Sequence, residues 1–178
     1  DEASAMRFGT KVHLLLEHLP DVAPAKRSTL ANTLLSGLDA PEENEAVCAE
    51  VETVLSTTEL TPLFAADVLS EVALTAPSAT LGKRLHGIVD KLLISEGRVL
   101  AVDFKTNATV PAHPEDTPLG ILRQMGAYSE ALALIYPNHK IETAILWTKT
   151  ASLMTLPHDL VMNAYQDTAY LDDLPHTT

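Results

Sequence analysis

The sequence predicts a single mixed α/β domain, and three observations support this class. The chain has 178 residues, which leaves room for one sizeable core. It is 46% apolar and 20% charged, close to the average for globular proteins. Apolar residues recur at helical spacing in the first third of the chain, whereas the middle holds short runs of β-compatible residues. We therefore expect helices first, then three strands, a helix and one or two further strands.

Helical spacing predicts three helices and a turn before the first strand. The first helix is expected over residues 6–19, and the second begins at Pro24. Asp39 with Glu42 three residues later is a capping-box pattern, so we expect the third helix to open at Asp39. A short helical turn over residues 59–65 closes this helical part.

The next runs are short and rich in residues that favour strands. Three strands are predicted over 69–75, 84–94 and 98–105. The last two are separated only by Glu96-Gly97, which fits a two-residue hairpin turn. The rest of the chain predicts a helix over 119–136, a strand over 141–147 with a hairpin partner over 152–156, and a C-terminal helix over 157–171.

Composition excludes several classes of protein. Cys48 is the only cysteine, so a disulfide within the chain, a four-cysteine zinc site and a cysteine-ligated iron-sulfur cluster are excluded, and a cytoplasmic setting fits best. No apolar stretch approaches the roughly 18 to 20 residues that span a bilayer. The net charge of −12 is the opposite of the basic surface typical of an autonomous nucleic-acid binder.

The predicted hairpin brings two acidic residues face to face. A two-residue turn at 96–97 places Asp90 opposite Asp103, and facing carboxylates on adjacent strands repel each other unless a cation lies between them. Lys105 lies on the same face of its strand as Asp103, whereas Phe104 points to the other face. Taken alone, such a spacing is more often a pair of solvated acids at the ends of strands than a site.

Two carboxylates and an amine suit metal-assisted hydrolysis of a phosphodiester. Hard oxygen ligands hold Mg²⁺, for which Mn²⁺ is a possible substitute, and the metal activates water. Lys105 would orient that water and stabilise the developing negative charge.

Three ordered motifs resemble those of the PD-(D/E)XK nuclease superfamily in its RecB-like branch. They are Gly87-Ile88-Val89-Asp90, Val102-Asp103-Phe104-Lys105-Thr106 and Gln124-Met125-Gly126-Ala127-Tyr128. The segments 8–13 and 70–72 resemble two further motifs of that branch. The resemblance implies a central mixed sheet flanked by helices, with a helical segment over 1–66, a catalytic core over 67–156 and a C-terminal helix and tail over 157–178.

The resemblance also implies a metal site. Its ligands would be Asp90, Asp103, the backbone carbonyl of Phe104 and the imidazole of His13, with Lys105 as the catalytic lysine. Without the other motifs, His13 would be read as an ordinary core histidine, because apolar residues surround it.

Three more residues receive roles from the resemblance. Gln124 and Tyr128 lie four apart on one helical face, so their amide and hydroxyl could together hold a phosphate or base of DNA. Glu71 would support catalysis from the neighbouring strand. Alternatively, Tyr128 is a core residue and Glu71 a surface one.

The segments 136–137 and 144–147 further resemble the C-terminal nuclease domain of AddA-type helicase-nucleases, which repair bacterial double-strand breaks. The resemblance implies a Mg²⁺-dependent DNA exonuclease that cuts DNA unwound by helicase domains of the same polypeptide, beside an AddB-like partner subunit. Absent iron-sulfur cysteines favour an AddA-like over an AddB-like assignment. The alternatives are an inactive nuclease fold that binds DNA or protein, and an acidic interaction module.

Overall fold

A computed structural model describes residues 1–172 as five helices and five strands joined by short 3₁₀ turns. The helices are α1 (Glu2–His18), α2 (Pro24–Leu35), α3 (Asn44–Ser56), α4 (Leu119–Ile135) and α5 (His158–Asp172). The strands are β1 (Leu69–Ser78), β2 (Lys83–Ser95), β3 (Arg98–Lys105), β4 (Lys140–Trp147) and β5 (Ser152–Leu156). This order confirms the predicted α/β class. The predicted tail over 173–178 lies outside the described residues.

The chain divides into two compact units. The helical unit comprises residues 1–68, 104–110 and 146–153, and the sheet unit comprises residues 69–103, 111–145 and the chain from 154 onward. The five strands follow the order β1-β2-β3-β4-β5 within one sheet.

Helices α1 and α3 pack against each other in the helical unit because each carries an apolar stripe. The buried side chains of these stripes are Val12, Leu15 and Leu16 on α1 and Val47, Val51 and Val54 on α3. Helix α1 starts earlier than predicted, because the carboxylate of Asp1 accepts a hydrogen bond from the backbone N–H of Ala3 at 3.0 Å.

The prediction that the third helix opens at Asp39 with a capping box is wrong. Ala40 has a left-handed backbone with φ of 55°, and a 3₁₀ turn over Pro41–Glu43 follows it, so that α3 begins at Asn44. The carbonyl oxygen of Ala40 accepts a hydrogen bond from Nζ of Lys11 at 2.7 Å. A tertiary contact with a buried lysine therefore fixes this start, in place of the local cap.

The sheet unit is built on a long central strand. β2 pairs antiparallel with β1 and with β3, and the predicted two-residue turn between β2 and β3 is confirmed. The backbone N–H of Lys140 donates to the carbonyl oxygen of Gly97 at 2.8 Å, which puts the starts of β3 and β4 side by side. These two strands therefore run in the same direction, and the sheet is mixed. Helix α4 packs on β1 and β2 and against α5.

Within residues 1–172, none of the helices is both long enough and apolar enough to cross a membrane.

Gly126 gives the most direct test of the packing of α4 on α5. A Cβ atom at this position would lie 2.5 Å from Cβ of Tyr165 and closer still to the carbonyl oxygen of Val161. We expect Gly126→Ala to lower the free energy of unfolding by about 1–3 kcal/mol in urea titrations, because backbone on α5 must move. Gly120→Ala in the same helix, where no atom lies within 4 Å, should leave it unchanged or raise it by up to about 1 kcal/mol. Equal effects of the two changes would contradict this packing.

Candidate functional site

The sheet unit brings acidic residues together on adjacent strands. β2 and β3 keep the predicted register as far as the pair Lys91 and Val102. The next residues along the two strands, Asp90 and Asp103, are only 6% and 4% exposed. The register therefore places two buried carboxylates at one level of the sheet, where the ladder between β2 and β3 ends.

A third acidic residue, Glu71, approaches from β1. Its carboxylate oxygen lies within 4.8 Å of one on Asp90. Glu71 has a left-handed backbone with φ of 50°, although Ser70 and Val72 on either side form regular pairs with β2. Such a conformation costs a non-glycine residue about 1–3 kcal/mol and is found mainly at functional sites. The sequence pattern gave no sign of it.

This donor set fits a divalent cation. Carboxylates held this close repel one another, and each buried charge loses hydration. Mg²⁺ and Mn²⁺ prefer oxygen ligands and offset both penalties when they bind carboxylates. The acidic residues of the sheet unit thus have the chemistry of a metal site.

A buried lysine lies beside these acids, and sequence analysis missed it. Lys91 is 5% exposed, and its Nζ donates a hydrogen bond to Oγ of Ser70 at 2.6 Å. Lys91 follows Asp90 directly, and Ser70 directly precedes Glu71. The bond therefore ties β1 to β2 next to two of the acids. The available signal was a lysine in the otherwise apolar run that follows Asp90.

Gln124 and Tyr128 on α4 hold the backbone of β2. Nε2 of Gln124 donates to the hydroxyl of Tyr128 at 3.0 Å, and that hydroxyl donates to the carbonyl oxygen of Ile88 at 2.9 Å. The predicted common face of the two side chains is confirmed. A Cβ at Gly87 would lie 2.6 Å from the Tyr128 ring, so only glycine admits this ring beneath the strand.

The environment of Tyr128 favours its neutral form. Burial raises the pKa of Tyr128 to about 12, and the negative charges of Asp103 and Asp90 add to the rise. A hydrogen bond from Gln124 acts in the opposite direction. Tyr128 therefore stays protonated and keeps donating to β2 at neutral pH.

Two further candidates meet in the helical unit. Nε2 of His13 lies 3.2 Å from the carbonyl oxygen of Phe104, a separation at which a protonated Nε2 donates a hydrogen bond. The Phe104 ring is buried between the rings of His13 and Phe64, at centroid distances of 5.7 and 6.0 Å. His13 is half-buried and contacts the carbonyl group that was implied as a ligand.

Lys105 ends β3 and is half-buried in the helical unit. Its backbone carbonyl accepts a hydrogen bond from Oγ1 of Thr148 at 3.1 Å, and the same hydroxyl lies 2.6 Å from Oε1 of Glu50. Thr148 is buried and holds the end of β3 in place. Nothing in the sequence marks Thr148, because its role depends on a contact between distant segments.

The structure thus places the candidates in two groups, one in each unit. The sheet unit holds Glu71, Asp90, Asp103, Gln124 and Tyr128, and the helical unit holds His13, Phe104 and Lys105.

Comparison with known proteins identifies a family. The chain matches the PD-(D/E)XK nuclease superfamily over residues 1–173. A search of curated proteins gives no match. Among solved structures, the chain is similar to the one titled "Crystal structure of SSO0001", with 12% sequence identity, a TM-score of 0.41, and coverage of 99% of this chain and 90% of that one.

The raised pKa of Tyr128 predicts how stability depends on alkaline pH. The folded state holds the phenolic proton more tightly than the unfolded state, whose ordinary value is 10.0. This contribution is complete below pH 10.0 and is lost as the pH rises towards about 12. We expect Tyr128→Phe to weaken the alkaline decline of the unfolding free energy, measured by urea titration, whereas Tyr136→Phe should not. Parallel curves for Tyr128→Phe and the parent would contradict the assigned environment.

Proposed function

The chain belongs to the PD-(D/E)XK nuclease superfamily, and from that premise we propose that it is a metal-dependent DNA nuclease domain that hydrolyses phosphodiester bonds. The observation that carries the proposal is the group of acids in the sheet unit. Asp90 and Asp103 are buried at one level, and a Glu71 carboxylate oxygen lies within 4.8 Å of one on Asp90. A sheet retains such repulsion at a cost, which a bound cation removes.

Asp90, Asp103, the backbone carbonyl of Phe104 and His13 are the residues proposed to hold Mg²⁺, for which Mn²⁺ would substitute. When bound, such an ion polarises the phosphate and lowers the pKa of the attacking water. Asp103 and Phe104 are consecutive in β3, and the 3.2 Å approach of His13 to the Phe104 carbonyl supports pairing these two as donors. All four donors suit a divalent ion.

Lys105 is the proposed catalytic lysine. Its ammonium group would orient the attacking water and stabilise the negative charge that develops on the phosphate. The hydroxyl of Thr148 anchors the backbone of Lys105, which limits the movement of the strand end. Glu71 would complete the acidic set from β1.

Gln124 and Tyr128 would bind DNA and position β2. Because the hydroxyl of Tyr128 already donates to Ile88, two residues before Asp90, loss of this contact would shift an acid as well as a DNA contact. The pair therefore couples the proposed DNA contact to the placement of Asp90.

The proposed setting is an AddA-like helicase-nuclease of the RecB-like type, in which the domain acts as an exonuclease during resection of double-strand breaks in the cytoplasm. The motifs at 87–90, 102–106 and 124–128 support this assignment. With a net charge of −12, the chain should bind DNA weakly by itself. Helicase domains in the same polypeptide would deliver single-stranded DNA at high local concentration, beside an AddB-like partner subunit.

Asp103→Ala and Lys105→Ala should separate metal binding from chemistry. Asp103→Ala removes a ligand, so both Mg²⁺ binding in calorimetry and single-turnover cleavage of single-stranded DNA should fall. Lys105→Ala removes no ligand and one positive charge, so Mg²⁺ affinity should stay similar or rise slightly. Cleavage by this variant should still fall by about 100-fold or more, because water orientation and charge stabilisation are lost.

Asp116→Ala, a change of the same type at an exposed position, serves as the control and should affect neither measurement. Asp103→Asn keeps the shape of the side chain and covers the case in which alanine disturbs folding. Cleavage at the parental rate by Lys105→Ala would remove its catalytic role. If the parent neither binds the metal nor cleaves DNA, the inactive or interaction-module alternatives are favoured.

A further inference from the structure

One face of the β1–β2 hairpin runs from the acids to the hairpin tip. Because side chains alternate along a strand, Asp90, Ile88, His86 and Arg84 share one face of β2. The last three are exposed, and Ile88 is 54% exposed despite its apolar side chain. From Arg84 to Asp90 this face is about 20 Å long.

The opposite strand keeps this face low and open. The partners of Ile88, His86 and Arg84 on β1 are Ala73, Thr75 and Pro77, all small and exposed. Oγ1 of Thr75 lies 3.1 Å from Nδ1 of His86, which fixes the imidazole ring over the strand pair. No large side chain of β1 therefore stands beside Ile88 and Arg84.

The charge of this segment is the reverse of that of the chain. Between Glu71 and Asp90 the sequence carries no Asp or Glu, whereas Lys83 and Arg84 lie at the tip. Within residues 1–172 neither cation forms an ion pair, and both are exposed. The nearest acid with a described contact is Glu130, which is hydrogen-bonded to Thr80 and to Tyr165 of α5.

We propose that this face, which we call the hairpin track (Arg84, His86 and Ile88 of β2 with Ala73, Thr75 and Pro77 of β1, plus Lys83 at the tip), binds single-stranded DNA and guides it to the acids. The inference rests on the proposed nuclease function. Lys83 and Arg84 bind phosphates, His86 donates a hydrogen bond to a phosphate or base, and Ile88 contacts the face of an unstacked base.

The apolar residue in the track argues for a single strand. Bases in a duplex are stacked on each other and turn only their edges outward, so they offer no face to Ile88. A single strand exposes its base faces, and its phosphates can follow the track towards the tip. The basic tip supplies the attraction that the rest of this acidic chain lacks.

The test compares two double variants with equal changes in charge. Lys83→Ala/Arg84→Ala alters the tip, and Lys26→Ala/Lys140→Ala removes two exposed lysines elsewhere. Lys140 adjoins the β2–β3 turn, at the other end of β2 from Lys83. The probe is a fluorescent single-stranded oligonucleotide at low salt, with cleavage followed in Mn²⁺ and binding followed by anisotropy in EDTA.

We expect Lys83→Ala/Arg84→Ala to raise KM and Kd roughly tenfold with kcat unchanged, because phosphate contacts away from the cut are lost. The slope of log Kd against log salt should fall by about 1.4, the value for two contacts on a single strand. Ile88→Ser should raise Kd without changing that slope. The control double variant should match the parent in KM and in slope.

Three results would overturn the hairpin track. If the tip variant and the control variant match each other while the parent cleaves, DNA follows another path and the proposed nuclease function stands. If kcat falls and KM does not change, the tip acts in chemistry rather than in guidance. If the parent neither binds nor cleaves the oligonucleotide, the proposed function fails, and the track fails with it.

Discussion

The two-residue turn at Glu96 and Gly97 sets the position of every acid in the sheet. Gly97 has φ of 71°, a conformation that glycine adopts without strain, and the turn fixes the register of β2 on β3. A slip of one residue would move all the side chains of one strand to the opposite face. Asp90 and Asp103 would then no longer lie on a common face, and Glu71 on β1 would lose its neighbour. The metal chemistry proposed for this chain thus depends on the backbone geometry of a turn that carries none of the reacting groups.

The distribution of charge follows from the same requirement. A site that holds Mg²⁺ must gather carboxylates, and the chain as a whole adds to that negative charge with a net −12. DNA phosphates are repelled by such a surface, so the proposed function needs local attraction. The segment between Glu71 and Asp90 is free of acids and supplies it next to the site. Delivery of DNA by attached helicase domains would supply the rest through local concentration.

Local patterns predicted most of the fold, because helices, strands and the tight turn depend on neighbouring residues. The capping box at Asp39 failed because a distant lysine, Lys11, binds the carbonyl of Ala40. The left-handed backbone of Glu71 and the burial of Lys91 were likewise unpredictable, since both arise from the pairing of β1 with β2. The family motifs identified the candidate residues, and the structure divides these residues between the two units. The contacts that hold those candidates in place come from packing, which sequence spacing does not encode.

The central claim is that Asp90 and Asp103 hold a divalent cation. Anomalous diffraction from a crystal of this chain soaked in Mn²⁺ tests it most directly, because the metal is located independently of any activity. The account predicts an anomalous peak ligated by the carboxylates of Asp90 and Asp103 and the carbonyl oxygen of Phe104. A well-ordered crystal with no peak at these atoms, or with Mn²⁺ bound only to other acids, would contradict it.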